Sequence, residues 1–86
     1  MTCRIDRLSL EHGVVLHISG GITGEGLNVL RTALEEDHVV AIDLTEVELV
    51  DREAVMLLAR TEGNGIGLRH CPAYIREWVT RERGLS

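Results

Sequence analysis

The residues of this chain with the richest chemistry are four histidines (His12, His17, His38, His70) and two cysteines (Cys3, Cys71). Imidazole and thiolate are the usual ligands of zinc, so together they invite a metal reading. Their spacing argues against it. No pair has the usual C-x₂-C or H-x₃-H spacing. His70 and Cys71 are adjacent, so within a strand they point to opposite faces. Cys3 and His17 approach only if the first two strands pair, and they would then supply just two ligands. No metal and no cofactor is expected.

Nucleophilic catalysis fares no better. Ser9, Ser19 and Cys71 have no evident base, and a chain of 86 residues leaves little room for a substrate pocket. The glycine-rich "EGNGIG" lacks the lysine of a phosphate cradle, and it precedes a strand instead of opening a helix. A helix end followed by a turn explains it. The expectation is a protein that is not an enzyme.

The most informative charged residues lie in "VAIDLTEVELVDREAVMLLAR", from Val40 to Arg60. It reads as a buried strand, a short loop, an aspartate and a helix. Asp51 stands at the N-cap, where its carboxylate can accept backbone N–H bonds worth about 1 kcal/mol. The negative charges of Asp51 and Glu53 suit the positive end of the helix; Arg52 opposes it. Arg52 therefore pairs loosely with a loop acid such as Glu46 or Glu48, or it meets an acidic partner.

Residues Ala54 to Ala59 are all apolar. A helix turns about 100° per residue, so one buried face cannot hold the whole run. Ala54, Val55, Leu57, Leu58 and Ala59 span a wide arc toward the core. Met56 falls outside it, on one line with Arg52 and Arg60 and close to Glu53. Methionine adapts to varied surfaces. Asp51, Arg52, Glu53, Met56 and Arg60 are thus the candidate partner-binding residues.

The elements that must position these residues follow from periodicity. "RIDRLSLEHGVVLHISG" holds two strands: Ile5, Leu8 and Leu10 mark the first, "EHG" makes a turn, and Val14, Leu16 and Ile18 alternate along the second until Gly20 and Gly21 end it. "TGEGLNVLRTALEED" is a helix with Leu27, Leu30 and Leu34 on one face and Thr23 as its cap. "HVVAIDL" is a strand whose continuous apolar run suggests cover on both sides. "DREAVMLLARTEG" is the second helix, "GIGLRHC" a short strand, and "PAYIREWVTRERG" the last helix, with Pro72 in its first turn and Gly84 at its end. The order β-β-α-β-α-β-α implies one small α/β domain over residues 1–86. Its mixed sheet has about four strands, mostly parallel after the first hairpin, and three helices mainly on one side.

Composition narrows the function classes. Apolar residues make up 44% of the chain, enough for a packed core, but there is one Trp, one Tyr and no Phe. That core is aliphatic, and base stacking is disfavoured. A formal net charge of -5 repels phosphate backbones, so nucleic acid is not expected as a partner. Arg69, Arg76, Arg81 and Arg83 gather near the C-terminus, but Glu77 and Glu82 interleave with them as on a solvated helix face. Two cysteines make no disulfide framework. No apolar run approaches the roughly 20 residues of a membrane span, and "MTCRIDRLSL" has no signal core, so a cytoplasmic chain is expected.

This order of elements, with an Asp at the strand-to-helix junction, resembles the STAS domain, the family of anti-sigma factor antagonists and of the cytoplasmic tails of sulfate transporters. The resemblance rests on "LHISGGIT", "VVAIDLTEVELVDREAV" and "GIGLRHC" and covers nearly the whole chain. It implies a bacterial interaction module that binds an anti-sigma factor or kinase-like regulator through helix two and its neighbouring loops. In such antagonists the Asp is usually followed by a Ser or Thr that the partner kinase phosphorylates, which breaks the complex. Here Asp51 matches the Asp, and Arg52, which has no hydroxyl, stands at the acceptor position. The resemblance thus implies binding without the usual phosphate switch. Thr23 and Thr45 are left as secondary acceptors. Stand-alone STAS domains that serve as accessory subunits of a membrane transporter, docked on its cytoplasmic ATPase, share the layout and give a second reading. A homodimer is also compatible with it.

Overall fold

The structure, a computed structural model, describes residues 3–84. Its elements are β1 (Cys3–Leu10), β2 (Gly13–Ile22), α1 (Gly24–Glu36), β3 (Val39–Val50), α2 (Arg52–Gly63), β4 (Gly67–Arg69) and α3 (Ala73–Glu82). The sheet runs β1-β2-β3-β4, antiparallel in its first pair and parallel in the other two. This is the mixed α/β architecture read from the sequence.

Period-2 alternation decides which residues meet the helices. Leu16 and Ile18 of β2 and Ile42 and Leu44 of β3 share one sheet face and are fully buried. Leu27, Leu30 and Ala33 of α1, Ala54, Val55 and Leu58 of α2, and Ile75 and Val79 of α3 join them in a single aliphatic core. Leu34, expected in the core, is half-buried at its edge. All three helices thus pack on one side.

The other sheet face is open, so β3 is not covered on both sides. Its apolar run has a different cause. Val39 and Ile42 belong to the core, whereas Ala41 is shielded on the open face beside its register partner Val15. Along the same face Arg4, Asp6, Leu8 and Leu10 are exposed, and His17, Ser19 and Asp43 are half-buried.

β3 also runs further than expected. "TEVELV", read as a loop, is the second half of a 12-residue strand. Its register against β2 shifts at three places, which breaks the alternation while keeping Val47 and Val50 buried. β2 in turn passes through Gly20 and Gly21 to Ile22. β4 is only three residues long, and the "HC" that follows it lies outside the strand.

Two glycines are required by close approach. A Cβ on Gly26 would stand 2.6 Å from Cys3 Cβ, so glycine lets α1 sit against β1. Gly13, at φ +148, leaves no room for a side chain between Val40 and His38. The C-terminal arginines are not simply a solvated face. Arg76 of α3 and Arg83, its C-cap, both donate to Glu62 of α2, at 2.8 and 2.7 Å, and fix one helix to the other, while Arg81 stays with Glu77.

Candidate functional site

The parallel pairing of β2 and β3 ends with Ile22 opposite Val50. The next residues, Thr23 and Asp51, open α1 and α2, so the two helix starts lie side by side at the carboxyl end of the sheet. Ligands of open α/β sheets gather at this end.

Asp51 is an N-cap by geometry as well as by sequence. Its backbone is extended, and its Oδ1 accepts the Ala54 N–H at 2.8 Å. Thr23 occupies the equivalent position before α1, but its side chain makes no capping hydrogen bond. The cap expected of the Thr23 hydroxyl is absent, and its carbonyl instead accepts the Gly26 N–H at 3.0 Å.

Past Asp51, α2 divides as its apolar arc requires. Ala54, Val55 and Leu58 are fully buried, Ala59 is 9% exposed, and Leu57 is half-buried against the core. Arg52, Glu53 and Arg60 are exposed, and Met56 is 47% exposed. Arg52, Met56 and Arg60 therefore form one outward line, spaced by four. Among the described residues Arg52 has no ion pair. Glu46, one acid proposed for it, lies 3.5 Å from His17 Nε2 instead. With Ala59, Glu82 and Arg83, Met56 and Arg60 line a shallow hollow of about 270 Å³ between α2 and the end of α3.

Two exposed apolar residues at this end were not singled out in the sequence. Leu49, 46% exposed, precedes Asp51 by two residues. Tyr74, 51% exposed, is held at the start of α3 by a 3.0 Å hydrogen bond from its hydroxyl to the Glu48 carbonyl. Leu49 was hidden by reading its segment as a loop. Tyr74 carried a signal, as one of only two aromatic side chains.

The remaining chemical groups stay apart from this end or from each other. Thr45, proposed as an acceptor in a loop, is an exposed strand residue whose hydroxyl and N–H both donate to Asp43 Oδ1. Asp43 Oδ2 lies 3.7 Å from His17 Nδ1. Burial alone would raise the Asp43 carboxyl pKa. The two hydrogen bonds from Thr45 and the charges of His17 and His70 outweigh it and hold the value below the usual one. Cys3 pairs with Gly20 and turns toward the core side, whereas His17 pairs with Asp6 on the open face, so they do not approach as a ligand pair. Burial pushes up both the Cys3 and Cys71 thiols. Among the described residues no three His, Cys, Asp or Glu side chains cluster as metal ligands, and no helix is long and apolar enough to cross a membrane.

No family model matches this chain, and no curated protein matches it.

Proposed function

We propose that the chain is a non-enzymatic, STAS-like interaction module that binds a protein partner through the start and outer face of α2. The observation that carries this reading is the exposure of Met56, 47%, on a line between two arginines with no need for it in the core. Leu49 and Tyr74 extend the apolar surface around the same helix start. Methionine and tyrosine suit such a surface because one adapts its shape and the other offers a large contact area. With Asp51 and Glu53 beside Arg52 and Arg60 the patch carries both signs, and Arg52, unpaired among the described residues, suits an acidic group on the partner.

In this reading the protein is a cytoplasmic bacterial antagonist of an anti-sigma factor or kinase-like regulator. Arg52 cannot accept a phosphate, so binding is not released at the usual position. The test is incubation with a candidate anti-sigma kinase and ATP, with binding measured beside mass spectrometry. Stable binding with no phosphate on residues 51–53 supports the reading. Phosphate on Thr23 or Thr45 with loss of binding moves the switch to those residues. Capture of a transporter ATPase, with no affinity for the kinase, replaces this reading by the accessory-subunit one.

A further inference from the structure

β1 is an edge strand of eight residues, paired only with β2 among the described residues. Leu10 and Gly13 flank its two-residue turn, so they form a hydrogen-bonded pair. Alternate residues, Cys3, Ile5, Arg7 and Ser9, therefore aim their backbone N–H and C=O groups away from β2. Such an edge is a template for another strand.

We infer that the β1 edge pairs antiparallel with β1 of a second copy, about a two-fold axis at Ile5, to form a homodimer with one continuous sheet. Charge selects the register. Helices of both copies stay on the same side of the sheet only if residues of like parity face each other. Centring on Ile5 sets Arg4 opposite the second copy's Asp6 and Asp6 opposite its Arg4. Centring on Asp6 or Arg7 sets like charges face to face, and centring on Leu8 pairs no opposite charges. Arg4 and Asp6 are exposed, with side chains 76% and 51% accessible, and within one chain they pair with each other at 3.2 Å; in the dimer each shares or exchanges that partner for its counterpart on the second copy.

An independent feature marks the same point. Val29 is 53% exposed on α1, on a stripe with Gly26 and Ala33. Gly26 lies against Cys3, whereas Arg31 and Leu34, on the other flank, face Leu57 and Arg60 of α2. Val29 therefore sits on the β1 flank of α1. It is three helical residues, about 4.5 Å, beyond Gly26. Ile5 is two strand residues, about 7 Å, beyond Cys3. The ion pair of Arg7 with Asp37 shows that strand and helix run the same way. Val29 thus stands near the level of Ile5, where the two α1 helices approach across the proposed axis.

Sedimentation equilibrium on the full chain over a wide concentration range tests this. The expected result is a reversible dimer. Arg4→Asp, Asp6→Arg and Val29→Glu should each weaken it about tenfold or more. Combining Arg4→Asp with Asp6→Arg should restore most of the loss, because the pairs re-form with reversed sign. Circular dichroism checks folding, and Arg4→Gln and Val29→Lys probe the same contacts if a variant fails to fold. A single monomeric mass at every concentration overturns the proposal. So does a dimer indifferent to all three changes, a double reversal as weak as the single ones, or a dimer lost in Met56→Glu, which would place the interface on α2.

Discussion

Asp51 and Ala54 are joined by a 2.8 Å hydrogen bond from the Ala54 N–H to the Asp51 carboxylate. This bond fixes the start of α2, and through it the direction of the Arg52, Met56 and Arg60 line. Asp51→Ala should cost about 1 kcal/mol, with Asp51→Asn or Asp51→Ser costing less, since both can still cap. Urea denaturation checks this. An alanine variant as stable as the parent would mean that the cap is idle and that Asp51 serves the surface alone.

Leu58, fully buried, is the largest of the α2 side chains in the core that α2 shares with the other helices and the sheet. Leu58→Ala removes apolar contacts and leaves a cavity, and the expected loss is about 2–5 kcal/mol. In so small a domain that is a large share of the total stability. The same denaturation measurement decides it. A loss below about 1 kcal/mol would show that the helix is held mainly by other contacts.

Asp43 gives the fold a dependence on acid. Its carboxyl pKa is held low in the folded chain, by the hydrogen bonds of Thr45 and the charges of His17 and His70 acting against burial. A group whose folded pKa lies below its unfolded one stabilises above the unfolded value, about 3.9 for Asp, and that contribution vanishes as pH falls through the folded value. Asp43→Asn should therefore lower stability at neutral pH and lose less of it on acidification than the parent does below about pH 4. Unfolding curves across a pH series measure both. A variant whose acid loss is as steep as the parent's would assign that loss to other carboxylates.

Much of the fold was legible because strong periods were left undisturbed. The run from Ala54 to Ala59 could be divided by helical geometry alone, and Met56 lies outside the core as that division requires. The second half of β3 was not legible. Thr45, Glu46 and Glu48 read as loop chemistry, and the register shifts against β2 spoil the alternation that would have revealed a strand. The same error hid Leu49. Thr23 shows a different limit: sequence placed it at the N-cap, but composition could not say that its hydroxyl makes no capping bond. Nor could it say that Arg76 and Arg83, apparently part of a solvated face, converge on one carboxylate of α2. Which residues share a helix is local information. Which charges meet across helices depends on how those helices pack.

The functional account stands on the outward line of α2, and Met56→Glu tests it most directly. The measurement is a binding titration with the captured partner, run beside thermal melts of the parent and the variant. Met56 is 47% exposed, so the melt should shift little, corresponding to less than about 0.5 kcal/mol. Binding should weaken strongly, and Arg52→Glu should slow association most at low salt, where long-range attraction is least screened. Unchanged affinity in both folded variants would contradict the account and place the partner on another surface.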